Sequence, residues 1–184
     1  MYATFEIEKC LKSMKILIDT REKITEEYKR RIEEMDCSYE QRKLDYGDYS
    51  CTATLPTGEK LDLSSKVVIE RKQNLDEIIQ NFLDKQSVQE ENGEANNRLK
   101  REFIKAKQNN CKIYLLIENA TWEHAFHGKY RSKIHPNALI AFLLSYTIRY
   151  DLRILFCKSE TTGKLIKTVL YRELKEYLEN KEGE

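Results

Sequence analysis

A short apolar run that stops on three charges limits this chain more than anything else in it. Val67-Val68-Ile69 leads directly into Glu70-Arg71-Lys72, and Asp76 follows four residues later. A β-branched run of this kind reads as a buried strand, and a core does not tolerate charges left unpaired at its end. Side chains alternate along a strand, so Glu70 and Lys72 share one face while Ile69 and Arg71 share the other. On a rigid strand end, a carboxylate beside an ammonium suits metal-assisted hydrolysis. The Glu holds a divalent cation, while the Lys orients the attacking water and steadies charge on a phosphate. A salt-bridged surface strand is the plain alternative for such a tetrapeptide.

Upstream residues supply further parts of the same kind. Asp19 closes the apolar stretch Met14-Lys15-Ile16-Leu17-Ile18 and continues into Thr20-Arg21-Glu22. Asp48 sits between Gly47 and Tyr49, where glycine permits a close backbone approach. Phosphodiester hydrolysis uses acidic ligands for Mg2+ or Mn2+, a group that handles water, and cations facing the phosphate.

Asp19-Thr20-Arg21-Glu22, then Gly47-Asp48-Tyr49, then Ile69-Glu70-Arg71-Lys72 with Asp76 stand in an order and spacing that resemble the XPF-type structure-specific endonuclease domain. The likeness continues through Asn97-Arg98-Leu99 and Tyr114-Leu115-Leu116-Ile117-Glu118, covering roughly residues 14 to 157. It implies an α/β fold with a restriction-endonuclease-like core, a central mixed β-sheet flanked by helices. It also implies cleavage of branched DNA with a divalent metal. On this resemblance Asp48 and Glu70 are the expected metal ligands, with a backbone carbonyl near Arg71 as a third. Lys72 handles the water, and Asp19 completes the acidic cluster or binds a second ion. Arg21 and Arg71 contact phosphate or hold the carboxylates, with Glu22 and Asp76 as their partners. For Asp76, a helix N-terminal acid favoured by the dipole is an equal reading.

Relatives of that type carry a helix-hairpin-helix domain after the nuclease, and some carry a helicase before it; neither is expected here. No Walker-type phosphate loop is present, so no nucleotide cofactor is implied. Gly128 to Ser132, Lys133 and Pro136 to Leu139 resemble small standalone versions from bacteria and their phages. The expected setting is therefore the cytoplasm, near the nucleoid, of a bacterial or phage-infected cell.

A net charge of +1 over 184 residues does not announce a nucleic-acid partner, but its distribution is uneven. Arg98, Lys100, Arg101, Lys105, Lys107, Lys112, Lys129, Arg131 and Lys133 are opposed there by only Glu102, Glu118 and Glu123. Such a stripe supplies what phosphate contacts require, although an ordinary solvated helix face has the same composition. Arg98, Lys100, Arg101, Lys105, Lys129, Arg131 and Lys133 are the candidate DNA contacts. The five cysteines form no CxxC pair and read as reduced packing thiols. No membrane-spanning run or signal peptide is present. His124, His127 and His135 lack neighbours at metal spacing and read as surface or helix-end residues.

Along the chain, residues 1–13 read as a helical, mobile or docking segment before a nuclease domain over 14–184. A helix is expected from Ile24 to Met35. Tyr39 to Asp45 and Asp48 to Leu55 alternate like two paired strands, followed by a turn at Pro56-Thr57-Gly58-Glu59. The Val67–Arg71 strand precedes a helix over 75–83. The polar stretch from Gln86 to Asn97 reads as a loop that orders on substrate, or as a plain surface connection. Then come a helix over 98–109, a strand over 112–118, a helix over 136–150, a strand over 153–157 and a closing helix over 161–178. The 136–150 helix is apolar over much of its circumference, which points to a homodimer; a two-layer core is the simpler account. Two other functions fit parts of this pattern: a non-catalytic DNA-binding subunit, and a restriction or recombination nuclease acting on plain duplex.

Overall fold

The computed structural model describes residues 2–83, 88–89, 95–96 and 98–180. In chain order the elements begin α1 (Thr4–Lys12), β1 (Lys15–Ile18), α2 (Glu26–Met35), β2 (Tyr39–Gln41), β3 (Tyr49–Thr54), β4 (Lys60–Asp62), β5 (Val67–Lys72) and α3 (Leu75–Leu83). They continue with β6 (Val88–Gln89), β7 (Ala95–Asn96), α4 (Arg98–Gln108), β8 (Lys112–Glu118), α5 (Trp122–Phe126), α6 (Pro136–Tyr150), β9 (Leu152–Cys157) and α7 (Thr162–Glu179). Apart from the paired strands β6 and β7, the Gln86–Asn97 segment lies outside the described residues. The architecture is α/β, with mixed strand pairing and flanking helices.

Two compact units share the chain. One comprises the residues up to Ile69 and those from Glu160 onward; the other is Glu70–Ser159.

In the first unit β1 is central, with Ile16, Leu17 and Ile18 fully buried. It pairs in parallel with β2 on one side and antiparallel with β3 on the other. The expected hairpin between Tyr39–Asp45 and Asp48–Leu55 therefore does not form. A fully apolar β1 needs a strand on each flank, so β1 intervenes between the two segments. β3 instead turns back at Leu55–Glu59, where the Leu55 amide donates to the Glu59 carbonyl at 2.8 Å, into the unforeseen short strand β4. β3 also meets β5, with Tyr49 opposite Ile69.

Helix α2 starts at Thr25, whose hydroxyl accepts the Tyr28 amide at 3.2 Å. Helix α7 seats its first turn against α2 at Gly163, where a Cβ would collide with the Arg31 carbonyl oxygen. Ile166, Leu170, Leu174 and Leu178 form its buried stripe. Helix α1 buries Cys10 and Leu11, so it is anchored in this unit.

In the second unit β8 and β9 run parallel in register from Ile113 opposite Leu152 to Glu118 opposite Cys157. Helix α4 buries Leu99, Phe103 and Ala106, and α6 buries Leu139, Ile140, Leu143 and Tyr146. Aromatic rings pack here, Phe103 and Tyr146 edge-to-face at 6.0 Å and Tyr146 and Tyr150 at 5.0 Å. Pro136 begins α6 and the His135 ring accepts the Asn137 amide at 3.2 Å, so His135 takes a helix-end role. At the other end Lys107 donates to the Arg149 carbonyl at 2.7 Å. Among the described residues no helix is long and apolar enough to cross a membrane.

Candidate active site

Glu70 and Lys72 project from the same face of β5, as the two-residue period requires. Lys72 Nζ lies 2.8 Å from Glu70 Oε1, and both residues are less than 9% exposed. Burial pushes the Glu70 carboxyl above its ordinary value, and the Lys72 ammonium opposes that rise. The first turn of α4 also acts on Glu70: Glu102 disfavours its charge and Arg98 favours it. Glu77 Oε1 stands 3.8 Å from Lys72 Nζ, and its Oε2 accepts the Gln73 amide at 2.7 Å. The Asn74 side chain accepts the Glu77 amide at 2.9 Å, so this reciprocal cap fixes the start of α3 directly after the Lys72 strand end.

Arg71 points the other way and pairs with buried Glu118 of β8 at 3.1 Å. Glu118 was visible in the sequence only as the end of an apolar strand. Its charge is tolerated there because the guanidinium meets it.

In the first unit the loop after β1 is built around Asp19. Its Oδ1 accepts the Arg21 amide at 2.8 Å and Arg21 Nε at 2.6 Å; its Oδ2 accepts Arg21 Nη2 at 3.1 Å and the Leu44 amide at 2.6 Å. Asp19 is completely buried. Burial raises its pKa, but the Arg21 side chain and the two amides outweigh that and hold the carboxyl below the usual range. Four donors occupy a carboxylate's acceptor sites. Asp19 is thus a loop anchor, which corrects its expected place in a metal cluster. Arg21 holds this carboxylate in position.

Asp48 is fixed by its main chain. Its carbonyl accepts the Asp19 amide at 2.8 Å, and its own amide donates to the Ile69 carbonyl at 2.8 Å. Gly47 makes this possible: its φ is +70°, and a Cβ there would approach Val68 Cβ to 2.8 Å. Glu22 Oε2 accepts the Tyr49 hydroxyl at 2.8 Å and Arg31 Nη2 at 3.1 Å. Arg31 Nε donates to the Tyr49 oxygen at 3.3 Å, and Arg31 and Tyr49 are both buried. This triad was not legible beforehand, because Arg31 looks like one more cation on a charged helix.

Asp76 lies in the first turn of α3, and its Oδ1 accepts the amides of Arg131 and Ser132 at 2.8 and 2.9 Å. Among the candidate DNA contacts, Arg98, Arg101, Lys105, Lys129, Arg131 and Lys133 are exposed. Lys100 is 7% exposed and shares the buried face of α4 with Leu99 and Phe103, which removes it from a surface stripe. Among the described residues no three His, Cys, Asp or Glu side chains already form a metal-binding group.

The ERCC4 domain matches residues 18–169 of this chain. The structure is similar to XPF from Aeropyrum pernix, with a TM-score of 0.59 and 14% identity over 86% of this chain and 61% of that one. It is likewise similar to XPF from Aeropyrum pernix in complex with DNA, with a TM-score of 0.59, 15% identity, and coverage of 88% and 65%. This chain thus spans less than two thirds of the length of those solved chains. No curated protein matches it. The matched domain accounts for most of the chain and implies nuclease activity on DNA. The chain belongs to the ERCC4 domain family, the XPF-type nucleases.

Proposed function

We propose that this chain is a Mg2+- or Mn2+-dependent DNA endonuclease that hydrolyses phosphodiester bonds in branched DNA, at flaps, forks and junctions, in repair or recombination. The observation that carries this reading is the buried Glu70–Lys72 pair at the end of β5, in a chain of this family. A carboxylate whose charge is disfavoured by burial gains from a cation beside it.

The donor chemistry suits a hard divalent ion, because carboxylates and main-chain carbonyls are oxygen ligands. Asp48 and Glu70, with a carbonyl near Arg71, are the residues that would hold it. When bound, such an ion supplies Lewis acidity and lowers the pKa of water. Lys72 orients the water and offsets charge on the phosphate. Glu77 keeps the Lys72 ammonium directed, and the Glu118 pairing holds Arg71 against β8. Arg98, Arg101, Lys105, Lys129, Arg131 and Lys133 meet backbone phosphates, which position the substrate without reading sequence.

Assembly as a homodimer completes this reading. Helix α6 leaves Leu144 and Ile148 exposed opposite its buried face. Doubling the nuclease would double the phosphate-binding surface.

Labelled duplex, flap, fork and four-way-junction DNA, incubated with the pure protein and Mg2+, test the reading directly. Preferential cutting of the branched substrates is the expected result. Equal cutting of plain duplex would assign a restriction or recombination nuclease instead. Binding without cutting would assign a non-catalytic DNA-binding subunit.

A further inference from the structure

Asp76 carries a charge that the hydrolytic step does not use, and its contacts reach far along the chain. The amides it accepts belong to residues 55 and 56 positions away. They lie in the segment Gly128–Lys133, which has neither helix nor strand and carries exposed Lys129, Arg131 and Lys133. Like charges this close repel one another and spread an irregular segment. A carboxylate drawn onto two successive main-chain amides offsets that repulsion and fixes the backbone.

The other hydrogen bonds of this segment run elsewhere: the Lys129 amide donates to the His124 carbonyl at 2.9 Å, and the Tyr130 hydroxyl to the Ile134 carbonyl at 3.0 Å. Arg131 and Ser132 face α3 across an open groove of about 660 Å³, lined also by Asn74, Glu77 and Gln80. Glu77 is the residue that stands beside Lys72. The groove therefore joins the cationic segment to the end of β5.

We propose that Asp76 is a positioning residue, fixing the Gly128–Lys133 segment against α3 so that Lys129, Arg131 and Lys133 face the DNA phosphates next to the Glu70–Lys72 strand end. The inference rests on the nuclease reading above. It separates Asp76 from both expected roles, a catalytic acid and a helix-dipole acid. An Asn at this position retains an oxygen that accepts both amides, whereas an Ala does not.

The test compares wild type, Asp76→Asn and Asp76→Ala. Its readouts are hydrogen exchange of the free protein, DNA affinity against salt in EDTA, and single-turnover cleavage. For Asp76→Ala we expect faster exchange at Arg131 and Ser132 and affinity about tenfold weaker, the loss of charged hydrogen bonds. Its salt slope should be shallower by about one to two phosphates, with cleavage at saturating DNA within about twofold of wild type. Asp76→Asn should stay within about threefold of wild type throughout. Ser132→Pro, which deletes one donor and leaves Asp76 in place, should repeat the loss and serves if Asp76→Ala does not fold. Asp76→Asn as inactive as Asp76→Ala at saturating DNA would overturn the proposal in favour of a catalytic charge. Unchanged exchange and salt slope in Asp76→Ala would overturn it in favour of a plain helix acid. A wild type that neither binds nor cuts DNA would overturn the nuclease reading and this inference together.

Discussion

Lys72 Nζ sits 2.8 Å from Glu70 Oε1 at the end of a buried strand, and each charge is tolerated there because of the other. Removing one leaves its partner buried and uncompensated, which costs about 3–5 kcal/mol where no water enters. Conservative changes separate chemistry from folding. Glu70→Gln, Lys72→Ala and Asp48→Asn should each abolish strand cleavage while gel-shift binding persists. Full activity in Glu70→Gln would remove Glu70 from the site.

Metal dependence is checked with the wild-type protein alone. It should be inert in EDTA, active with Mg2+ or Mn2+, and poorly active with Ca2+, whose longer and looser coordination holds substrate without activating water. Cleavage that survives exhaustive chelation would contradict a hydrolytic metal site.

Assembly should be read by light scattering at micromolar concentration. The expected mass is twice that of one chain. Leu144→Asp with Ile148→Asp should halve it, because both positions are exposed on α6 and a charge there disfavours an apolar contact. A wild type of monomer mass with full cleavage activity would defeat the dimer.

Arg31, Glu22 and Tyr49 form a buried network that should be worth more together than in pieces. Arg31→Met alone strands the Glu22 carboxylate and should lower stability by about 3–5 kcal/mol. Adding Glu22→Gln should recover part of that loss. Urea denaturation of the single and double variants gives the coupling, and strict additivity would show that the groups act independently.

Acid should weaken the first unit through Asp19 and Asp62. Burial raises both carboxyls, yet hydrogen bonds win: Arg21 and the Leu44 amide at Asp19, Ser64 and Arg42 at Asp62. A folded-state pKa below the unfolded value contributes stability that is complete above the unfolded value, about 3.9, and is lost as pH falls through the folded one. Asp19→Asn should therefore lower the urea midpoint more at pH 7 than at pH 3. An equal loss at both values would show that the Asp19 charge contributes nothing.

Local periodicity was enough for much of the fold. Helices over 75–83 and 136–150 and the strand over 112–118 appear with those boundaries, since their apolar spacing depends only on neighbours in the chain. The shared face of Glu70 and Lys72 follows from the same period of two. What a strand pairs with, and what a polar atom bonds to, is a long-range matter. β2 lies outside β1 because the apolar β1 needs two flanking strands. Asp19 closes on the amide of Leu44, 25 positions on, and Asp76 on residues more than 50 away. Lys100 is a cation in the sequence and a buried residue in the helix, because α4 turns it toward Leu99 and Phe103. The sequence specified which charges the chain carries at the ends of its strands. Tertiary packing decided which of them are consumed in holding loops and which remain for chemistry, because a buried charge must find its partner wherever the fold brings one.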